Sequence, residues 1–272
     1  MDESPSWLSS SRSCLDALDT LNVRRSLRIA KGFPRRLATA LIPNRAQLPL
    51  TFWWQNVRGA LEPELLWVLK QKKRSGIAID VGANQGLYSY ALAKIFDRVE
   101  AFEPNSSAAT QLSRYASGNI AIHDVAISQN KSQTNLYTPV SSDGVEYAGW
   151  GSLHREMLPP SDAIRIRTVS TRSLDSYNFD DVSFMKIDVE GHELDVLEGA
   201  TYMIARYRPL ILIEVKPRSR RSVWDFLSTR QYQCFLLENS GLQPLKAVGD
   251  FTASVKENFI WMPDQGSTWP NE

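Results

Sequence analysis

The feature that most constrains this chain is an alternation. Short runs of apolar residues, several closed by an acid, take turns with stretches of helical periodicity. "IAIDV" (77–81), "RVEAFEP" (98–104), "NIAIHDVAI" (119–127), "SFMKIDVEG" (183–191) and "PLILIEVKP" (209–217) read as buried strands. Between them, "GLYSYALAKIF", "SSAATQLSRYAS", "HELDVLEGATYMIARY" and "RRSVWDFLSTR" carry apolar residues three or four apart, as amphipathic helices do. Near-continuous apolar strands alternating with helices predict a parallel sheet covered on both faces. Two final runs, "YQCFLLEN" and "ENFIWMP", flank "SGLQPL", which reads as a turn, so they are expected to pair antiparallel. At 272 residues with 43% hydrophobic content, the chain can bury a full core as one large domain.

Departures from the alternation mark the domain organisation. Residues 1–13 are serine-rich and expected to lack order. Residues 14–42 carry the pattern of two short helices broken at Gly32-Phe33-Pro34, and together with the chain up to 60 form a helical N-terminal extension. Seven basic residues and no acid lie between Arg24 and Arg45, a composition that suits either a solvated helix face or peripheral contact with an anionic membrane surface. The domain proper is expected over 61–272, opening with a helix that has Pro63 in its first turn. At 128–175 the rhythm changes to two strand patterns, "QTNLYTP" and "AIRIRTVS", joined by a Gly/Ser/Pro-containing loop, a candidate lid.

Charge and cysteine content narrow the classes. A net charge of +1 exerts no global pull on nucleic acid. Cys14 and Cys234 stand far apart, outside any metal-type spacing, which favours a reducing, cytoplasmic setting. No run approaches the ~20 apolar residues that a spanning helix needs.

Chemistry gathers at "DVGANQGLYS" (80–89). In an open parallel sheet, ligands bind beyond the carboxyl ends of strands, so Asp80 and the turn Gly82–Gly86 should line a cleft. The two glycines allow a tight turn and a close ligand approach. One strand later Glu103 stands where an acid can accept hydrogen bonds from both hydroxyls of a ribose. A dinucleotide fingerprint requires G-x-G-x-x-G, and Asn84 replaces its second glycine. That shifts the expected cofactor from nicotinamide or flavin to S-adenosylmethionine, which has no phosphate.

"DVGANQGLYS", "FEPN", "DVAIS", "VSTRSLDSY", "FMKIDVEGHELDVLEGA" and "PLILIEVKP", in that order, resemble the FkbM family of S-adenosylmethionine-dependent methyltransferases over about 61–263. The resemblance implies a class I methyltransferase fold: a Rossmann-like three-layer α/β sandwich whose seven-stranded, mostly parallel sheet has an antiparallel last strand. It also implies O-methylation of a sugar, glycan or small natural product. By resemblance and position, Asp80, Gly82, Asn84, Gly86 and Ser89 surround the methionine part of the cofactor, Glu103 its ribose, and Asp124, Val125 and Ala126 its adenine.

At the reacting end, "KIDVEGHE" supplies Asp188, Glu190 and His192. His192 titrates near neutrality and is the preferred general base, the competing reading being a helix cap. Asp188 is a candidate to bind the acceptor hydroxyl, the cofactor ammonium or a metal, and Asp188 with Glu214 to hold Mg²⁺ or to bind sugar hydroxyls directly. Lys216, Arg218, Arg220 and Arg221 would suit an acidic, phosphate-bearing or lipid-linked acceptor, or form a solvated loop. Two other classes stay open: a methyltransferase-like protein that binds without catalysis, and a Rossmann-type NAD-dependent oxidoreductase.

Overall fold

The structure, a computed structural model, describes residues 44–264 apart from 72, 73, 117 and 162. The serine-rich arm, the two helices expected at 14–42 and most of the basic stretch lie outside the described residues.

Eight strands form the main sheet, in the order β10-β9-β11-β8-β7-β1-β2-β3. In chain order these are β1 (Arg74–Val81), β2 (Phe96–Phe102), β3 (Ile120–His123), β7 (Val182–Ile187), β8 (Leu210–Glu214), β9 (Tyr232–Glu238), β10 (Gly241–Leu245) and β11 (Asn258–Pro263). Strands β3, β2, β1, β7 and β8 run parallel. The last strand, β11, inserts antiparallel between β8 and β9. The antiparallel pairing expected of the two final runs is therefore present. "GLQPL" is not turn, however: it is β10, hairpinned onto β9, and it raises the sheet from seven strands to eight. The turn shrinks to Asn239-Ser240, with Gly241 at φ 104° on its far side, a conformation open to glycine.

Period-two alternation along β1 sorts its side chains between two layers. Ile77, Ile79 and Val81 face a core built with α5 (Glu193–Glu198), α6 (Thr201–Tyr207), α7 (Arg220–Ser228) and α8 (Val248–Ala253). Ala78 faces the other core, made with α1 (Asn44–Val57), α2 (Pro63–Leu69) and α3 (Leu87–Leu92). Asp80 shares the parity of Ala78, so the acid points toward α3 rather than out of the sheet. Helix α1 precedes residue 61 yet buries Phe52 in this second core and Leu48 against Ala83 and Leu112 of α4 (Ser106–Tyr115), so the packed body begins earlier than its sequence pattern.

Two expected elements are broken. "HELDVLEGATYMIARY" divides into α5 and α6 at Gly199-Ala200, where the chain passes so close to Ser128 that a side chain at Gly199 would stand 2.1 Å from its carbonyl oxygen. Asp175 restarts the helix by accepting from the amides of Tyr202 and Met203. "NIAIHDVAI" likewise leaves the main sheet after β3. Its end, β4 (Ala126–Ile127), pairs with β6 (Ala163–Arg172), which pairs antiparallel with β5 (Ser132–Val140). Residues 141–161, after β5, fold back over the carboxyl ends of β1, β2 and β7. They are strapped down by Glu146, which accepts two hydrogen bonds from the Arg167 guanidinium at 2.7 Å each.

Candidate active site

The chain crosses from β1 to α3 with its backbone pressed against the end of β7. Gly82 has φ 82°, and a side chain there would stand 1.8 Å from the Asp188 carbonyl oxygen. Only a residue without Cβ fits that approach. Asn84 also takes a left-handed conformation, φ 49°, which aims its amide at the next strand. That amide donates to Glu103 Oε2 and the amide of Asn105 donates to Oε1, both at 2.7 Å. Burial pushes the Glu103 carboxyl up to about 7, with the two amides opposing the shift.

Beneath the turn, Ser89 Oγ donates to Asp80 Oδ2 at 2.5 Å. Both residues are buried, and burial raises Asp80 to about 6 against the Ser89 bond and the nearby Lys186 charge. Asp80 and Ser89 thus brace the floor from below. Gly86 serves packing: it starts α3 at φ 87°, and a Cβ there would stand 2.1 Å from a Leu112 methyl.

Above this floor lies an open cleft. Its lining brings together Gly82, Asn84 and Glu103, Val125 and Ala126, and Asp188, Glu190 and His192. Asp124 is not among the residues that line this cleft. Its exposed side chain lies in a separate polar groove with Lys131 and Arg172, because the break between β3 and β4 turns it away from the cleft. The walls include Phe102, Ile127 and Leu136, and no lysine or arginine is among the lining residues. Two buried polar atoms on the lining residues lack a partner: Asn84 Oδ1, an acceptor, and Asn105 Nδ2, a donor. Buried polar groups are rarely left unpaired, so the pair marks a place for a ligand with both donors and acceptors.

Just past the end of β7, one oxygen of Asp188 pairs with the buried Lys186 ammonium at 3.3 Å. Glu190, at φ 49°, and Glu214 share the Lys216 ammonium, at 3.2 Å and 2.6 Å, with Glu257 at 3.0 Å. Asp188, Glu190 and Glu214 converge within 4.8 Å, close enough for a Mg²⁺ site. Two lysines already supply the positive charge that such an ion would bring, so the donor set does not fit Mg²⁺. Burial raises Glu190 and Glu214, and Lys216 opposes the shift in both.

His192 stands at the start of α5 without capping it through its side chain. Nδ1 faces Asp195 Oδ2 at 3.2 Å and His154 Nε2 at 3.1 Å, and Nε2 faces Ser128 Oγ at 3.0 Å. Burial lowers its pKa, with Asp195 opposing and His154 adding to the shift. Both ring nitrogens are engaged by protein atoms, leaving neither open to an acceptor hydroxyl.

The four cations after Glu214 are committed elsewhere. Lys216 sits among three carboxylates. Buried Arg220 donates to the carbonyls of Thr252, Ser254 and Lys256, and Arg218 and Arg221 pair with Glu156 and Asp225. The site also contains residues that the motifs did not single out. Asn105 was visible two positions after Glu103 as the cap of α4; Ser152, whose hydroxyl donates to the Glu190 carbonyl at 2.7 Å, had no local signal.

Strand order, an antiparallel last strand and a cleft at the ends of β1, β2 and β7 define a class I methyltransferase fold. Residues 80–238, more than half of the chain, match the model of the methyltransferase FkbM domain. The chain belongs to the FkbM methyltransferase family.

Among solved structures, the chain is similar to methyltransferase FkbM from Methylobacillus flagellatus KT, with 20% identity and a TM-score of 0.45 over 76% of this chain. It spans about half of that protein's length, 52%. An rRNA methylase from Streptococcus thermophilus aligns at 11% identity and TM-score 0.40, covering 73% of this chain and 92% of that one. TrmK of M. capricolum, solved with S-adenosyl-homocysteine, aligns at 10% and 0.35, covering 75% and 69%. No curated protein matches the chain. Among the described residues, no helix is long and apolar enough to cross a membrane.

Proposed function

We propose that the cleft binds S-adenosylmethionine and that the protein methylates a hydroxyl of a sugar, glycan or small natural product. The observation that carries the cofactor reading is Glu103, a buried carboxylate immobilised by two backbone amides at the end of β2, beside the unpartnered Asn84 Oδ1 and Asn105 Nδ2. A carboxylate there accepts from both ribose hydroxyls, and the carboxamides meet an ammonium and an acceptor edge. A pyrophosphate would find neither a cation nor a free glycine amide at this turn, which argues against NAD. When bound, the cofactor supplies an electrophilic methyl group on a sulfonium.

The residues of the chain then have separate tasks. Gly82 and Asn84 shape the turn, and Asp80 with Ser89 holds it from below. Asp188, tied to Lys186 through Oδ2, keeps Oδ1 for the acceptor hydroxyl and its proton. Glu190 flanks that position, with Lys216 holding its carboxylate. The lid excludes water from the transfer. His192 shapes the wall rather than taking the proton, and Glu214 acts through Lys216.

Calorimetric titration with S-adenosylmethionine, S-adenosylhomocysteine and NAD tests the cofactor. Binding of the first two without the third is expected; NAD binding alone overturns the reading, and binding of none favours a non-catalytic scaffold. Labelled-methyl transfer to fractionated hydroxylated acceptors, with mass spectrometry of the product, tests the accepting atom. Methylated nitrogen or carbon in the product would refute O-methylation.

A further inference from the structure

Three side chains converge at the seam between lid and body. His154 comes from the lid, and His192 and Asp195 from the start of α5. His154 Nε2 lies 3.1 Å from His192 Nδ1, which lies 3.2 Å from Asp195 Oδ2, and the three ligand atoms all lie within 4.8 Å of one another. Donors bound to one tetrahedral ion at about 2.0–2.1 Å sit about 3.3 Å apart, close to this spacing.

Hydrogen bonding alone serves the cluster poorly. His192 Nδ1 carries at most one hydrogen, which cannot point along both the line to Asp195 and the line to His154. A cation would meet all three lone pairs at once.

The far side of each donor is also supported. His192 Nε2 faces Ser128 Oγ at 3.0 Å, His154 Nδ1 faces Glu156 Oε1 at 3.6 Å, and Asp195 Oδ1 accepts from Gln129 Nε2 at 3.0 Å. Outer partners of this kind orient the ligands of metal sites and set the tautomer of each imidazole. The side chain of His154 is about a third exposed, which gives an ion a route in.

We propose that His154, His192 and Asp195 bind a divalent transition-metal ion, Zn²⁺ by the nature of the donors, and that the ion fastens the lid to α5. Two imidazoles and a carboxylate suit Zn²⁺ and leave a fourth position for water. With the ion on Nδ1, the ring hydrogen of His192 turns to Ser128. The site is distinct from the lysine-filled cluster of Asp188, Glu190 and Glu214, and it does not depend on the identity of cofactor or acceptor.

The test is titration of metal-stripped full-length protein with Zn²⁺, alongside the variants His154→Ala and Asp195→Asn. Stoichiometric uptake by the wild type is expected, weakened by at least about tenfold in each variant. Zn²⁺ should also slow proteolysis within 141–162 in the wild type and leave the rate in His154→Ala unchanged. Circular dichroism of the variants checks that both remain folded, and His154→Ala, on the exposed lid, should bind S-adenosylhomocysteine as the wild type does. Absence of stoichiometric uptake in the wild type, or full uptake by folded His154→Ala, overturns the proposal. Failure of S-adenosylhomocysteine to bind the wild type would instead count against the proposed function.

Discussion

On the floor of the cleft, backbone makes most of the fixed points: Glu103 is held by the amides of Asn84 and Asn105, Gly82 presses against the carbonyl of Asp188, and β1 pairs with its parallel neighbours, with the Ser89–Asp80 bond below as the side-chain exception. The lid opposite touches that floor mainly through side chains. Ser152 donates to the Glu190 carbonyl, His154 meets His192, and Met157 lies so close to Gly191 that a Cβ there would stand 2.8 Å from its atoms. It also approaches the turn after β1 at Gly149, where a Cβ would come 2.8 Å from Asn84 Nδ2. Backbone-built features tolerate no change of shape, whereas side-chain contacts are replaced one at a time. The floor should therefore be brittle and the lid adjustable.

The largest expected effect is that of Gly82→Ala. With φ at 82° and the Asp188 oxygen in the way, it should cost at least about 3 kcal/mol, read as a fall in the denaturation midpoint. A midpoint within error of wild type would end the claim that backbone fit rules the floor. Next comes Glu103→Ala, which should weaken S-adenosylhomocysteine binding by about a hundredfold through two lost charge-assisted bonds to ribose. Unchanged affinity would remove the ribose role.

The pH dependence follows from the same group. Its folded pKa is raised to about 7, so the protonated form prevails below that value and the ionised acceptor above it. If the ligand binds the ionised form, affinity should rise about tenfold between about pH 6 and about pH 8, and this rise should vanish in Glu103→Gln. A flat wild-type profile would contradict it. The sign for folding is the opposite. A buried acid with a raised pKa lends stability below its unfolded value of 4.5, and that contribution is lost as pH rises through about 7.

The smallest effect belongs to the lid. Ser152→Ala removes a hydroxyl that donates to Glu190 and accepts from the His154 amide, at a cost of about 1 kcal/mol. Faster proteolysis within 141–162, with S-adenosylhomocysteine affinity unchanged, is the expected result. A matching loss of cofactor affinity would mean that lid and floor are one unit.

How far this division was legible in the sequence depends on range. The parallel strands and flanking helices were readable because burial on two faces forces continuous apolar runs. Gly82 and Gly86 were readable from their spacing in the turn, and Glu103 from its position closing the next strand. Gly86 shows the limit: its left-handed turn was visible, but Leu112, which forbids a side chain there, lies 26 residues away in sequence. "GLQPL" carried turn residues and nonetheless paired, since β9 offers an open edge and tertiary pairing overrides local propensity. The cations after Glu214 looked available for an acidic acceptor, and only the fold revealed their partners. Glu190, Glu257 and the carbonyls of α8 and its neighbours are brought to them by distant segments.

By itself, then, the sequence determined the layered α/β architecture, the family and the tight glycine turn that follows β1, because all three rest on local periodicity and short fixed spacings. The tertiary structure decided which of those residues face the cleft. It turned Asp124 outward, set Asp80 beneath the floor, filled the acid cluster with lysines and brought His154 against His192. Such outcomes depend on where separate segments cross, and no local spacing encodes a crossing.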